Sequence, residues 1–238
     1  MAAQAGDVVN LFNQIAPVYD RLNRIISWGK DQSWRLELAR RMDLKPGQSV
    51  LDISAGTGDM EVAIKEVCPQ VNVIGLDPSR RMVDLYRAKI SRASVVLGMA
   101  EFIPARSDSI TRAVCAFGLR NFQDRSAAFR EINRVLVPGG LWGFLEMSAP
   151  EGFIFPLIYG LYFKRIVPLL GAVFAKNFSA YRYLRDTVYQ FPDKSAITTE
   201  HARAGFSLLF YRPVLRGAVV LYIFKKNPIS LNEDGSSR

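Results

Sequence analysis

The chain has 238 residues, 49% of them hydrophobic, which is enough to bury one substantial α/β core and too little for two large ones. Lys and Arg outnumber Asp and Glu by 31 to 22, which favours anionic partners, but the pairs Arg40-Arg41, Arg80-Arg81 and Lys225-Lys226 are scattered, read as solvated faces and exclude nucleic acid as a partner. Cys68 and Cys115 lie in apolar stretches and Met1–Asn10 lacks the character of a signal peptide, so a disulfide framework is excluded and a cytoplasmic setting is expected.

In chain order, Leu11–Ile26 carries apolar residues at three-to-four spacing and predicts an amphipathic helix, bent or restarted at Pro17. A second helix is predicted over Ser33–Met42, stopped by Lys45-Pro46-Gly47, so that 1–45 forms an N-terminal helical lid. Short apolar strands follow at Ser49–Ile53, Val71–Leu76, Ser94–Leu97, Ala113–Phe117 and Leu141–Glu146, separated by helical stretches, the last of them Ser126–Leu136. That alternation predicts parallel strands with right-handed crossovers in an open doubly wound sheet over 46–150. After an insertion at 151–193, a helix at Thr198–Ala204 and strand-like runs at Phe206–Tyr211 and Val219–Phe224 predict a C-terminal antiparallel hairpin within 194–226. The polar tail 227–238 is expected to be disordered. The insertion holds two apolar runs, Phe153–Phe163 and Ile166–Ala175, split by Lys164-Arg165. Each is too short to cross a bilayer, which needs about 20 apolar residues. Phe153–Phe163 has almost no polar face, so a dimer partner, an isoprenoid tail or a bilayer surface is expected to cover it, with nearby cations meeting anionic headgroups.

The chemistry concentrates where the first strand turns into a helix. Val50-Leu51-Asp52-Ile53 runs into Ser54-Ala55-Gly56-Thr57-Gly58-Asp59, and glycines at such a turn let a ligand approach the backbone. Asp77, ending the second strand, stands near the roughly 20-residue spacing at which a carboxylate accepts ribose hydroxyls. Together they predict a nucleoside site. His201, the single histidine, is expected on a solvated helix face, and neither it nor the cysteines have the spacing of a metal site.

These segments resemble the first and second motifs of S-adenosylmethionine-dependent methyltransferases: Val50-Leu51-Asp52 with Gly56 and Gly58, then Ile74-Gly75-Leu76-Asp77-Pro78-Ser79. Further stretches narrow the resemblance to the ubiquinone and menaquinone biosynthesis C-methyltransferases, the UbiE type. They are Tyr19-Asp20 with Asn23, Ile26-Ser27 and Trp34; Phe117-Gly118-Leu119-Arg120-Asn121; Arg134-Val135-Leu136 with Pro138-Gly139-Gly140, Glu146 and Ser148; and Tyr181-Arg182-Tyr183-Leu184. The resemblance runs from about Phe12 to Lys225 and implies a Rossmann-like class I methyltransferase fold, a mostly parallel seven-stranded sheet closed by the antiparallel hairpin. It implies S-adenosylmethionine as cofactor, held by Asp52, Ser54, Gly56, Gly58, Asp77, Pro78, Met99, Ala100 and Phe117. It implies a polyprenyl quinol as methyl acceptor, with Arg120 and Asn121 orienting its oxygens, Asp59 near the sulfonium, and Tyr19, Asn23, Tyr181 and Arg182 on the substrate side, without a metal. Peripheral contact with the inner face of an anionic membrane is then expected, and a homodimer is one way to cover the apolar insertion.

The sequence departs from the family pattern at four places. Asp31 stands for a His, Met99 for an Asp that meets adenine, Arg112 for an acidic residue and Val137 for a Lys, while Ser54 occupies a place where many methyltransferases have Gly. Two other readings therefore stay open: a methyltransferase-like protein that binds a hydrophobic ligand without turnover, and a methyltransferase of a soluble phenolic compound.

Overall fold

The computed structural model describes residues 5–150, 152, 160 and 178–228. Apart from Gly160, the apolar insertion Phe153–Ala175 lies outside them, as does the tail beyond 228. The N-terminal helix is broken by Pro17 as expected: α1 (Ala5–Ile15) passes through a 3₁₀ turn at Ala16–Val18 into α2 (Tyr19–Ile26). The next helix, α3 (Lys30–Arg41), starts three residues ahead of the expected Ser33. Gly29 at φ 73° reverses the chain there, and Ser27 Oγ accepts the Asp31 N–H at 3.3 Å in place of a helical carbonyl.

The rest follows the alternation: β1 (Ser49–Ile53), α4 (Asp59–Val67), β2 (Asn72–Asp77), α5 (Arg80–Lys89), β3 (Val95–Leu97), β4 (Ile110–Ala116), α6 (Arg125–Val135), β5 (Leu136–Met147), α7 (Phe178–Tyr189), α8 (Lys194–Arg203), β6 (Phe206–Val214) and β7 (Val219–Lys226). The seven strands form one sheet in the order β3-β2-β1-β4-β5-β7-β6. The first five are parallel and β7 runs antiparallel to both β5 and β6. This is the class I methyltransferase arrangement, with the order reversing between β1 and β4, where open α/β sheets hold ligands.

The central strands bury both faces, so successive side chains feed two apolar layers. From β1, β4, β5 and β7, Leu51, Ala113, Phe144 and Tyr222 join the layer that receives α6 and α8. Val50, Val114, Leu145 and Leu221 join the layer that receives α3 and α4. Gly143 on β5 lets α3 in closely, since a Cβ there would stand 2.6 Å from Met42 Sδ. Of the N-terminal 1–45 stretch, then, α3 is packed under the sheet, while α1 and α2 lie over its carboxyl edge.

Three sequence expectations are corrected, two by burial and one by hydrogen bonding. His201 is fully buried rather than solvated: Trp142 Nε1 donates to its Nε2 at 3.0 Å, its ring stacks on Phe224 at 3.9 Å, and burial lowers its pKa from 6.5 to about 4. Lys226 is not a solvated cation, because its ammonium donates to Leu136 O at 2.6 Å and Asp108 at 2.7 Å. Asn227 is not part of a free tail, since its N–H bonds Gly205 O and its side chain accepts from Ser207 Oγ. A single His or Lys in a sequence carries no sign of the partners that would make its burial tolerable.

Candidate functional site

The site is built at the carboxyl ends of β1, β2 and β4. After Ile53 the chain turns left-handed at Ser54 (φ 54°), Gly56 (φ 56°) and Gly58 (φ 92°) before α4 begins. Gly56 faces Tyr19, whose Cε1 lies 3.8 Å from where a Cβ would stand, whereas a Cβ on Gly58 would meet Ile90 Cδ1 at 2.8 Å. Gly58 therefore serves the packing of α4 against α5 and lines neither of the two cavities of the turn. Ser54 and Phe117 (φ 65°) hold left-handed backbone without being glycine, at the ends of adjacent strands, a strain that concentrates at ligand sites.

Asp77 closes β2 with one oxygen accepting the Gly56 N–H and the other the Ser79 N–H, each at 2.8 Å. Burial raises its pKa to about 6, against the pull of these two hydrogen bonds. Above it runs a cavity walled by Val8, Val9 and Phe12 of α1, by Tyr19, by Pro78, Met99 and Ala100, and by Phe117, Gly118, Asn121 and Phe122. Helix α1 is anchored there by Asn13, whose Oδ1 accepts from Ser79 Oγ at 2.7 Å and from the Arg81 N–H at 3.2 Å. Sequence reasoning missed Asn13, and also Glu101, a buried carboxylate that gathers the Gln123 and Asp124 N–H groups at the rim.

Ser54, Gly56 and Tyr19 are shared with a smaller cavity that reaches Asp52, Arg35, Thr57 and Asp59. Asp52 is buried to 1% exposure and neither of its oxygens has a hydrogen-bond partner. Burial holds its carboxyl well above the usual range, with Arg35 pulling the other way. Burial also acts to raise Asp59, but a hydrogen bond from Lys89 and the charge of Arg35 outweigh it and its pKa is lowered. Lys89 bridges Asp59 at 2.8 Å, Thr57 at 2.9 Å and Asp20 of α2 at 2.5 Å. Arg24 joins Asp59 at 3.2 Å to Asp31, which also binds Arg35 at 2.7 Å. Asp31, itself buried, thus sits in a part-buried ion-pair network that ties α2 and α3 to the start of α4.

The segment after β4 is a 3₁₀ turn, Leu119–Asn121. Glu146 of β5, fully buried, accepts the Arg120 N–H at 3.0 Å and pairs with the Arg120 guanidinium, which also donates to Phe117 O at 2.7 Å. Arg120 is therefore engaged in holding the strand end, not extended into the cavity. Asn121 faces the cavity, and its Oδ1 accepts from Tyr183 Oη of α7 at 2.9 Å. Burial raises the Tyr19 hydroxyl, which the Asn23 side chain opposes. The side chains of Tyr181 and Arg182 lie outside the described residues, although their backbone is in α7. Arg112, at the opposite end of β4, donates to Met42 O at 2.5 Å and Asp43 O at 3.0 Å, fastening α3 to the sheet away from both cavities.

Comparison with known proteins agrees with this architecture. A sequence model of the ubiE/COQ5 methyltransferase family matches residues 1–226. The chain is 36% identical over 226 residues to the ubiquinone/menaquinone biosynthesis C-methyltransferase UbiE of Geotalea daltonii, covering 92% of this chain and 96% of that one. It is 38% identical over 207 residues to the demethylmenaquinone methyltransferase of Thermus thermophilus, covering 84% and 93%. Among solved structures, a SAM-dependent methyltransferase of Thermotoga maritima, described as a possible histamine N-methyltransferase, aligns with a TM-score of 0.62 at 20% identity over 92% of this chain and 99% of that one. The [4+2]-cyclase SpnF aligns at 0.69 and 16% identity over 96% and 98%, so the fold alone does not choose the reaction.

Proposed function

The chain belongs to the ubiE/COQ5 methyltransferase family, and on that premise we propose that it transfers a methyl group from S-adenosylmethionine to a ring carbon of a polyprenyl quinol, demethylmenaquinol first among them. The observation that carries the reading is the orphaned Asp52 carboxylate beside a glycine turn that also feeds Asp77. Burial holds that carboxyl toward its neutral form in the free chain, and a cation brought beside it, such as the cofactor's ammonium, would let it ionise with a partner. Asp77 takes the ribose hydroxyls, while Met99, Phe117 and the Ala100 backbone border the base. The cofactor supplies an electrophilic methyl on sulfur; the chain supplies alignment and proton handling.

On the acceptor side, Asn121 and Tyr19 meet the quinol oxygens and orient the electron-rich ring carbon. Arg120, paired with Glu146, keeps the strand end in place, and a water carries away the proton that the alkylated carbon loses. Asp59, fixed by Lys89 and Arg24, supports the turn beneath the sulfonium. Peripheral attachment to an anionic membrane is supported by the apolar sequence Phe153–Ala175 and by Trp28, 81% exposed beside Lys30 at the α2–α3 turn. Among the described residues no helix is long and apolar enough to cross a membrane.

The test is incubation with labelled S-adenosylmethionine and chemically reduced demethylated quinols, with and without a prenyl tail, plus soluble phenols. Label on a ring carbon of the tailed quinol is expected. Transfer only to soluble phenols, or cofactor binding with no transfer to any acceptor, would overturn the proposal. Flotation with acidic liposomes and the mass of the free protein then separate membrane attachment from a homodimer that covers the same apolar segment.

A further inference from the structure

We propose that Tyr183 is a positioning residue for methyl transfer, fixing the Asn121 amide so that its NH2 group faces the acceptor; the proposal rests on the quinol reading above. Asn121 is the polar side chain of the strand-end turn that lines the cavity, and its two amide ends have opposite hydrogen-bonding character. Which end a ligand meets depends on what holds the other. The Tyr183 hydroxyl donates to Oδ1 at 2.9 Å, so the carbonyl is occupied and the two N–H donors of Nδ2 remain for the cavity.

The backbone beneath is equally fixed. The Asn121 N–H bonds Gly118 O at 3.0 Å, and the neighbouring Arg120 N–H bonds the buried Glu146 carboxylate, so the amide is the adjustable part of the turn. Tyr183 keeps its proton: burial raises its pKa, Arg120 pulls it down and Glu146 pushes it up again. A phenol that stays protonated keeps a donor for Oδ1, the arrangement found here, in which both Nδ2 hydrogens are left for the cavity. An amide NH2 suits an acceptor oxygen that bears negative charge once its hydroxyl proton has left, the form in which the ring carbon is most nucleophilic. A carbonyl turned into the cavity would instead meet the lone pairs of that oxygen. No bond to Tyr183 forms or breaks in the reaction; its contribution passes through Asn121.

Tyr183→Phe keeps the ring and removes the donor. Its kcat/KM for the quinol is expected to fall about tenfold, which is about 1.4 kcal/mol, while affinity for S-adenosylhomocysteine stays within about twofold. A residue that acts through Asn121 must be silent without it, so Tyr183→Phe added to Asn121→Ala is expected to cause no further loss. Additive losses, or a Tyr183→Phe variant as active as wild type, would overturn the proposal. Should wild type methylate no quinol, the functional reading fails separately. The Tyr183–Asn121 bond is then read from the side-chain amide resonance of Asn121, identified by its absence in Asn121→Ala. A resonance unmoved by Tyr183→Phe would overturn the positioning role, and a displaced one would support it.

Discussion

Glu146→Met tests whether the strand end that carries Arg120 and Asn121 is held by a buried ion pair. Glu146 is fully buried and Arg120's side chain is 7% exposed, so removing the carboxylate leaves a guanidinium with little water to compensate it. The same substitution takes an acceptor from two backbone donors, Arg120 N–H at 3.0 Å and Met147 N–H at 2.8 Å. Breaking one side of a buried pair costs about 3–5 kcal/mol, a large part of the roughly 5–15 kcal/mol that holds a domain together. Urea unfolding should therefore show a much lower midpoint with an unchanged slope. The double variant Glu146→Met with Arg120→Met removes both charges and should regain much of the loss. Its turnover separates the two roles of Arg120: stability regained with methyl transfer still lost means that the positive charge serves the reaction as well as the fold. A Glu146→Met protein that loses less than about 1 kcal/mol, or a double variant no more stable than the single one, would refute the argument.

Asp77→Ala should weaken S-adenosylhomocysteine binding by about 1–3 kcal/mol in isothermal titration, and wild-type affinity should fall as the pH drops through about 6, where the free protein's Asp77 takes up its proton; an affinity flat from pH 7.5 to 5.5 would contradict this. His201 has a folded pKa of about 4 against 6.5, so below 6.5 the unfolded chain binds a proton that the native chain refuses. Its contribution is intact above pH 6.5 and is lost progressively down to about 4, by about 3 kcal/mol in total at 1.36 kcal/mol per unit; the urea midpoint of wild type should fall more steeply over this window than that of His201→Gln. Ser54→Gly relieves a left-handed non-glycine position, worth about 1–2 kcal/mol, against about 0.5–1 kcal/mol of added chain freedom, so it should leave the midpoint unchanged or slightly raised, and a clear drop would show that the Ser54 side chain is itself needed.

The layers of the sheet were legible because strand alternation is a local signal. Val50 and Leu51, or Leu145 and Phe144, differ by one position and go to opposite faces, and no distant information is required to see it. The glycine turn and Asp77 were legible for the same reason, since their spacing is set by one βαβ unit. What the sequence did not disclose are polar pairings between remote segments: Arg120 with Glu146, Tyr183 with Asn121, Lys89 with Asp20, Asn13 with Ser79. Each joins chemically common residues far apart in the chain, and nothing periodic marks them in advance. The same holds for His201 and Lys226, since burial of a polar side chain depends on partners that only the fold brings near.

The departures from the family pattern acquire different weights once they are placed. Arg112 sits at the far end of β4 from Phe117 and spends its guanidinium on Met42, Asp43 and Thr111 carbonyls, so it acts on the attachment of α3 and not on the cavities. Asp31 is satisfied by Arg24, Arg35 and Ser27, and through Arg24 it reaches Asp59, so it braces the helix start beneath the smaller cavity. Ser54 fits its left-handed turn at a cost in strain, and a Cβ on Gly118 would collide with it at 2.4 Å, which makes Gly118 the compensating small residue. Met99 changes the chemistry of the larger cavity's wall most, placing a thioether where the family pattern has a charged acceptor. In the proposed cofactor site, apolar contact and the Ala100 backbone would border the base, while Asp52 and Asp77 would meet the polar ends. If cofactor binding is weak, Met99→Asp is the variant in which it should tighten.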